Sequence, residues 1–263
     1  MDIITSKDNI KIKYVRSLNL KKFRDEENAF LVEGIKFVEE AINENADIKL
    51  LLVSEEALNK SEVKKLIDSI DESKAVVCTA QVFNSAADTV NAQGVLAVIN
   101  KNTAFQNDII DKFNFIIMCD RIQDPGNLGT IIRTADAFGP AALLINKGCV
   151  DIFNPKVVRA SAGAIFRVPV IYANDDLEII NFMKDRGFYI VSTVVDSEYY
   201  IDNIEKRNKI CIVIGNEGQG VSQDLIDYSD ISVTIKMTGK AESINASVAA
   251  GICIYEIRKK LLK

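Results

Sequence analysis

The second half of the chain alternates short apolar runs with segments in which apolar residues recur at helical spacing. The runs FIIMC at 115–119 and ICIVI within 209–214 are continuous, as is typical of strands buried on both faces of a parallel sheet. The pattern predicts further strands at 142–145, 168–171, 189–194 and 231–235, and helices at 128–138, 155–164, 177–186 and 243–262. This alternation favours an α/β fold with a parallel, doubly wound sheet, in which ligands bind beyond the carboxyl ends of the strands.

The first hundred residues contain shorter elements that predict a smaller α/β unit. The pattern indicates a basic helix at 9–24, strands at 30–32, 49–53, 75–78 and 94–99, and helices at 54–71 and 81–89. A further helix follows Gly34, with apolar residues at helical spacing. We therefore predict an N-terminal domain at 1–100, a linker at 101–112 and a second domain at 113–263.

Composition narrows the class of protein. With 48% hydrophobic and 26% charged residues, we expect a globular, cytoplasmic protein without a membrane span or a signal peptide. The chain has no histidine, which excludes Ser-His-Asp and Cys-His catalysis and metal sites with histidine ligands. The five cysteines form no C-x-x-C pair, so we expect no metal site, and we expect Cys119, Cys211 and Cys253 to pack in the core.

Charge is unevenly distributed along the chain. The net charge is −5, yet residues 1–24 carry seven basic and two acidic side chains. The basic residues are Lys7, Lys11, Lys13, Arg16, Lys21, Lys22 and Arg24. This asymmetry indicates a basic arm that contacts a polyanion, although a solvated amphipathic helix would have the same composition.

Two loops that follow predicted strands are rich in glycine, asparagine and charge. In the first, residues 120–133, Gly126 and Gly129 permit tight turns, Asn127 can cap the next helix, and Arg133 lies where its side chain points back toward the loop. A helix cap with a structural arginine is the alternative. The second, residues 212–220, has the spacing G-x-x-G-x-G, which is neither the dinucleotide-binding fingerprint nor a Walker loop.

The second loop also contains Glu217, a carboxylate that a phosphate-binding loop would avoid. A ligand with hydroxyl, amino or cationic groups suits it better. In a third loop, residues 235–251, Ser243 and Asn245 open a helix of small residues that permits close backbone packing. A plain N-cap is the alternative role for Ser243.

Together the three loops resemble a known family. N-x-G-x-x-x-R at 127–133, I-G-N-E-G-x-G at 214–220 and E-S-I-N-A-S-V-A at 242–249 are similar, in this order, to the three motifs of the SpoU/TrmH family of RNA 2′-O-ribose methyltransferases in the SPOUT superfamily. FLVEGIKFVEEA at 30–41 resembles that family's ribosomal-protein-like substrate-binding domain. The family usually has Leu-Asn-Val at 244–246, where this chain has Ile-Asn-Ala; these swaps are small and apolar. The resemblance covers nearly the whole chain.

The resemblance implies a fold, a cofactor and a partner. The C-terminal segment of the sheet domain would thread a trefoil knot, and a homodimer would complete the active site. S-adenosylmethionine would be the cofactor, and RNA, more specifically 23S-type ribosomal RNA, would be the substrate. The cofactor-binding residues implied in this sequence are Thr193, Gly215, Ile235, Met237 and Ile244.

The resemblance also implies catalytic and RNA-binding residues. The catalytic set is Arg133, Asn127, Glu217, Ser243 and Asn245. Because an arginine stays protonated at neutral pH, we interpret Arg133 as the group that orients the target ribose and stabilises the developing alkoxide, rather than as a base. RNA would contact Lys11, Lys13, Arg16, Lys21, Lys22, Arg24 and Arg159.

Two other functions remain compatible with parts of the sequence. A non-catalytic, RNA-binding paralogue would have the same fold, although the intact motif residues argue against it. A nicotinamide-dependent oxidoreductase would need the missing fingerprint and its acidic residue.

Overall fold

The computed structural model describes residues 2–101 and 110–261. Two compact units make up the chain: Met1–Asn102 together with Asp151–Phe166, and Thr103–Val150 together with Arg167–Lys263. Most of the predicted linker at 101–112 lies outside the described residues.

The first unit is built on a five-stranded mixed sheet. Its strands lie in the order β1-β4-β3-β5-β2, with β1, β4 and β3 parallel and β5 antiparallel to both β3 and β2. The strands are β1 (Ile3–Ile4), β2 (Ala29–Glu33), β3 (Ile48–Ser54), β4 (Ala75–Cys78) and β5 (Val95–Asn100). The helices are α1 (Ile10–Ser17), α2 (Lys21–Glu26), α3 (Ile35–Asn43), α4 (Ser61–Asp68) and α5 (Ala80–Ala86).

The predicted basic helix at 9–24 is two helices rather than one. Asn9 accepts a hydrogen bond from the backbone N–H of Lys11 and so caps α1, which ends at Ser17. Ile12, Val15 and Leu18 are fully buried in the core of the unit. The N-terminal segment is therefore part of the folded unit, and it is not a detached arm.

Asp151–Phe166 belongs to the first unit although the sequence pattern assigned it to the second domain. It contributes α7 (Pro155–Ala160), which Asn154 caps and in which Pro155 takes the first position. Phe153 packs against Phe30 of β2, with the ring centroids 4.7 Å apart. The segment lies far from β2 in sequence, so periodicity alone could not reveal this packing.

The second unit confirms the predicted parallel α/β sheet. Its six strands lie in the order β11-β9-β10-β6-β7-β8 and all neighbours are parallel. They are β6 (Phe115–Cys119), β7 (Ala142–Ile145), β8 (Val170–Tyr172), β9 (Tyr189–Thr193), β10 (Ile210–Ile214) and β11 (Ile231–Val233). The helices are α6 (Pro125–Ala137), α8 (Asp176–Lys184), α9 (Gln223–Asp227) and α10 (Ala246–Leu261). Cys119, Cys211 and Cys253 are buried, as predicted.

The strand order explains where a site can form in this unit. From β6 the chain proceeds outward through β7 and β8, and then returns to build β9, β10 and β11 on the other side of β6. β6 and β10 are therefore neighbours at the point where the strand order reverses. Loops that leave the carboxyl ends of two such strands diverge and leave a crevice for a ligand.

Candidate functional site

The first two motif loops begin side by side at the end of the sheet. Cys119 of β6 pairs with Ile214 of β10, and the backbone N–H of Asp120 donates to the carbonyl of Ile214 at 2.8 Å. The loops at 120–124 and 215–222 therefore start at the same height above the sheet.

The glycine-rich loop is a tight, closed turn. Asn216 and Gly220 exchange two backbone hydrogen bonds, of 3.0 and 2.9 Å. A Cβ atom on Gly215 would lie 2.2 Å from the backbone of both Gly220 and Val221. Glycine is required at 215 because the chain folds back directly over it.

A series of side-chain hydrogen bonds joins all three motif loops. Asn127 Nδ2 donates to Glu217 Oε1 at 2.9 Å, and Asn245 Nδ2 donates to Asn127 Oδ1 at 2.9 Å. Asn245 Oδ1 in turn accepts from the backbone N–H of Ser247 at 2.9 Å. We call Glu217, Asn127 and Asn245 the asparagine relay. It places one predicted catalytic residue from each motif in direct contact with the next.

The direction of the asparagine relay is fixed from both ends. An ionised Glu217 can only accept, so the amide nitrogen of Asn127 must face it. The first N–H groups of α10 can only donate, so the oxygen of Asn245 must face them. Both constraints leave the Asn245 nitrogen facing the Asn127 oxygen.

Capping at the two motif helices differs from the sequence expectation. Asn245, not Ser243, caps α10, so the alternative role considered for Ser243 is wrong. Asp124 caps α6 by accepting from the backbone N–H of Asn127 at 2.8 Å, and this leaves the Asn127 side chain free for the relay.

Hydrogen bonds keep Glu217 charged. Partial burial alone would raise the pKa of its carboxyl group. The Asn127 amide and the backbone N–H groups of Gln123 and Asp124 donate to the carboxylate, and together they lower its pKa below the ordinary value. Glu217 therefore acts as an ionised acceptor at neutral pH.

A pocket of about 470 Å³ opens beside the glycine-rich loop. All five predicted cofactor-binding residues line it: Thr193, Gly215, Ile235, Met237 and Ile244. Two predicted catalytic residues, Glu217 and Ser243, line it as well. The structure thus brings the end of β9, the glycine-rich loop and the third motif loop to one cavity.

The electrostatic character of this pocket is acidic. Glu217 and Glu242 are among its lining residues, and none of the described lining residues is lysine or arginine. Apolar side chains such as Val221, Ile235 and Ile244 supply the remaining walls. The pocket suits a flat apolar group joined to a cationic one, and it disfavours a polyphosphate.

Arg133 forms no hydrogen bond with the asparagine relay. It is exposed on α6, and its guanidinium has no hydrogen bond or ion pair among the described residues. α6 is also the helix that contains Asn127, and it packs against α10. Arg133 therefore lies on the same helix as Asn127, and its guanidinium is available to a ligand.

Sequence reasoning missed a second network behind the glycine-rich loop. Asp120, which is 1% exposed, accepts from Arg121 at 3.0 Å, from Asn146 at 2.7 Å and from the backbone N–H of Ser222 at 2.7 Å. Burial raises the pKa of Asp120, but these donors outweigh it and lower the pKa overall. Arg121 also donates to Gln219 at 3.0 Å. The signal in the sequence was an acid–base pair directly after a buried strand.

Comparison with known protein families identifies the family to which the chain belongs. Residues 114–255 match the model of the SpoU rRNA Methylase family, and residues 9–97 match that of the MRM3-like substrate binding domain. The first match covers more than half of the chain. The chain belongs to the SpoU rRNA methylase family. The family resemblance of its three motifs is thereby confirmed.

Individual SpoU relatives match the chain over almost its whole length. The 23S rRNA (guanosine(2553)-2′-O)-methyltransferase RlmP of Bacillus subtilis is 31% identical over 98% of this chain and 100% of its own. A putative TrmH family tRNA/rRNA methyltransferase of Staphylococcus aureus is 33% identical over 88% of this chain and 96% of its own. The AdoMet-bound rRNA methyltransferase of Sinorhizobium meliloti superposes with a TM-score of 0.89 at 28% identity, covering 100% of this chain and 99% of that one.

The predicted RNA-binding residues of this SpoU methylase divide into three groups. Five of them are exposed on α1 and α2 of the first unit: Lys11, Lys13, Arg16, Lys21 and Lys22. Arg159 is partly exposed and forms an ion pair with Asp88 at 2.7 Å.

The prediction that Arg24 contacts RNA is wrong. It is 2% exposed and pairs with Asp151 at 2.6 Å, while its guanidinium also donates to the carbonyls of Leu18 and Asn19. A guanidinium that is buried and fully paired cannot reach a phosphate. Arg24 joins α2 to the segment at 151–166 instead.

Two further findings concern metals and membranes. Among the described residues of this SpoU methylase, no cluster of three or more His, Cys, Asp or Glu side chains could hold a metal ion. In the same part of the chain, no helix has the length and apolar character that crossing a bilayer demands.

Proposed function

We propose that this protein transfers the methyl group of S-adenosylmethionine to a ribose 2′-hydroxyl of ribosomal RNA. The observation that supports this most strongly is the asparagine relay at the rim of the acidic pocket. It joins a residue from each of three distant motifs, and the same three motifs define the family. The relatives named above for methylation of rRNA match the chain over nearly its full length.

The pocket fits the cofactor in size and in charge. Its volume of about 470 Å³ lies within the ~300–1,000 Å³ typical of small-molecule sites. The apolar side chains of Ile235 and Ile244 would hold the adenine, and Glu217 and Glu242 would favour the positive charge of a sulfonium and an ammonium. The same carboxylates oppose the pyrophosphate of a nicotinamide dinucleotide, so an oxidoreductase is disfavoured.

Residues of the chain orient the ribose 2′-oxygen and stabilise the charge that develops on it. The bound cofactor supplies an activated methyl group on sulfur, so alignment of the acceptor provides much of the acceleration. Arg133, exposed and without a partner in the described chain, orients the target phosphate and ribose and stabilises the developing alkoxide. The asparagine relay holds the loops that form the pocket, and Ser243 lies at the pocket wall, where its hydroxyl can reach the ribose.

A homodimer and a knot complete the proposal. α10 exposes Val248, Ile252 and Tyr255 along one face, next to the exposed Phe138. An apolar stripe of this kind favours a partner surface, and a second copy of the chain would cover it. A trefoil knot at the C-terminal end is supported by the family match, because the resemblance of the motifs implies one.

RNA recognition and catalysis belong to different domains in this proposal. RNA recognition belongs to a ribosomal-protein-like domain at 1–100, and a linker at 101–112 joins it to the knotted domain at 113–263, which carries out catalysis. Within 113–263, the segment at 151–166 belongs to the first unit, and RNA recognition extends to it. The separate sheet of the first unit and its match to a substrate-binding domain support this division.

Calorimetry with S-adenosylmethionine and with NAD⁺ tests the cofactor. We expect binding of the first and none of the second. Binding of NAD⁺ alone would contradict the proposal.

The Arg133→Ala variant separates a methyltransferase from a non-catalytic paralogue. We expect methyl transfer to fall about 100- to 1,000-fold, as for the loss of one donor to a developing oxyanion, while cofactor affinity stays within a few-fold. Arg207→Ala is the matched control. Arg207 is an exposed arginine outside the three motifs, and its one described ion pair is with Glu205. Undiminished transfer by Arg133→Ala would refute the role of Arg133, and no transfer by the wild type would favour the paralogue.

A further inference from the structure

A second pocket, of about 490 Å³, opens in the first unit, and the chemistry of methyl transfer does not use it. Lys36 and Phe37 of α3, Asn91 and Gln93 of the loop between α5 and β5, and Arg159 of α7 are among its lining residues. Two carboxylates, those of Glu33 and Glu40, line it as well. All of these except Arg159 lie in the segment that matches the substrate-binding domain, and Arg159 lies in the segment that matches the methylase. The segment at 151–166 therefore contributes Arg159 and Ala162 to the pocket, and the other lining residues lie between 33 and 93.

Hydrogen bonds fix the loop that forms one side of this pocket. Glu33 accepts from the backbone N–H of Asp88 at 2.9 Å and from that of Thr89 at 3.3 Å, and it also pairs with the Thr89 hydroxyl. Gln93 Oε1 accepts from the first backbone N–H of α3 at 2.9 Å, and Arg159 donates to Asp88 at 2.7 Å. The loop is thus held in shape by the protein itself, and the pocket is formed in advance of any ligand.

Several polar groups of the pocket are left without partners. The Asn91 side chain, the Gln93 Nε2 group and the Lys36 ammonium have no hydrogen bond or ion pair among the described residues. Phe37 is half-buried, so part of its ring faces the cavity. Proteins recognise unstacked RNA bases with groups of this kind. An aromatic ring stacks on the base, amides form hydrogen bonds with its edge, and a cation contacts the phosphate.

We propose that this pocket binds one unstacked nucleotide of the RNA substrate. The base lies against Phe37, Asn91 and Gln93 contact its edge, and Lys36, whose ammonium has no ion pair among the described residues, contacts its phosphate. The inference rests on the proposed function for its ligand class, RNA. It adds that the protein distinguishes a single-stranded or extruded nucleotide from a duplex, in which every base stays stacked.

The test compares single-stranded with duplex RNA. Fluorescence anisotropy measures the affinity of the full-length protein for labelled rA, rC and rU oligomers of about twelve nucleotides and for a duplex of the same length. For Phe37→Leu, which removes the ring, we expect binding of the single strands to weaken about 5- to 150-fold, as for the loss of one base–aromatic stack. Affinity for the duplex and the dependence of binding on salt stay unchanged, and Phe37→Tyr restores the wild-type affinity.

Asn91→Ala provides a second variant that leaves the fold intact, because Asn91 is exposed and bonds to no described residue. We expect the ratio of affinities among rA, rC and rU to change about 2- to 12-fold, as for one hydrogen bond. Equal weakening on duplex and single strand by Phe37→Leu, or unchanged binding by both variants, would overturn the inference. The oligomers are measured without cofactor, so a failure of the protein to bind S-adenosylmethionine would refute the proposed function and leave the inference about this pocket unaffected.

Discussion

Replacing Asn127 with alanine removes the middle of the asparagine relay. The lost bond to Glu217 is charge-assisted and contributes about 1.5–3 kcal/mol, and the bond to Asn245 about 0.5–1.5 kcal/mol. Because Glu217 is itself exposed, we take the lower end of the first range. Alanine has a higher helix propensity than asparagine, which offsets about 0.5 kcal/mol. We therefore expect Asn127→Ala to lower the free energy of unfolding by about 1.5–2.5 kcal/mol.

Urea unfolding, followed by far-ultraviolet circular dichroism, measures this loss. Asn181→Ala is the matched control, since Asn181 is exposed on α8 and its side chain bonds to no described residue; we expect a change within about 0.5 kcal/mol. The cofactor must then order the freed loops, so its affinity falls by at most about 70-fold. If Asn127→Ala were as stable as Asn181→Ala and bound S-adenosylmethionine equally well, the relay would have no organising role.

Four further results are expected. Gly215→Ala abolishes cofactor binding in calorimetry because its Cβ would overlap the backbone of Gly220 and Val221 at 2.2 Å, whereas Gly218→Ala, whose Cβ would lie 3.7 Å from Asn216 Oδ1, binds normally; equal affinities would contradict the close approach. Arg24→Gln lowers the free energy of unfolding by about 3–5 kcal/mol, because it breaks a buried ion pair; a neutral effect in urea unfolding would contradict that assignment. Since hydrogen bonds lower the pKa of Glu217 in the fold, its stabilising effect is complete above its ordinary value of 4.5 and is lost as the pH falls through the folded pKa; urea unfolding of Glu217→Gln should lack this part of the acid dependence. Ile252→Glu, in the exposed stripe of α10, should yield a monomer in sedimentation; an unchanged mass would place any dimer contact elsewhere.

Local patterns in the sequence predict much of the second unit. The continuous apolar runs at 115–119 and 210–214 form strands that are buried on both faces, as their length and composition predict, and the structure pairs them as neighbours. The three motif loops followed from their positions after these strands and from glycine spacing. That all five predicted cofactor-binding residues line one pocket reflects the family resemblance, since periodicity contains no information on which loops meet.

The features that the sequence did not reveal depend on contacts between distant residues. Arg24 reads as one more basic residue of an exposed helix until Asp151, 127 positions away, is seen to pair with it. Asn245 and Ser243 are equally good caps by composition, and the choice between them follows from the position of Asn127. The pocket beside Phe37 likewise includes Arg159 and Ala162, which are distant in sequence from its other lining residues.

The position of the transferred methyl group tests the central claim most directly. The protein is incubated with methyl-labelled S-adenosylmethionine and ribosomal RNA from cells that lack the gene, and the RNA is then digested with alkali. A methyl group on a ribose 2′-oxygen blocks cleavage of the adjacent linkage, so the account predicts that the label remains in alkali-resistant dinucleotides. Label in mononucleotides, which would place the methyl group on a base, would contradict it, as would the absence of label from RNA.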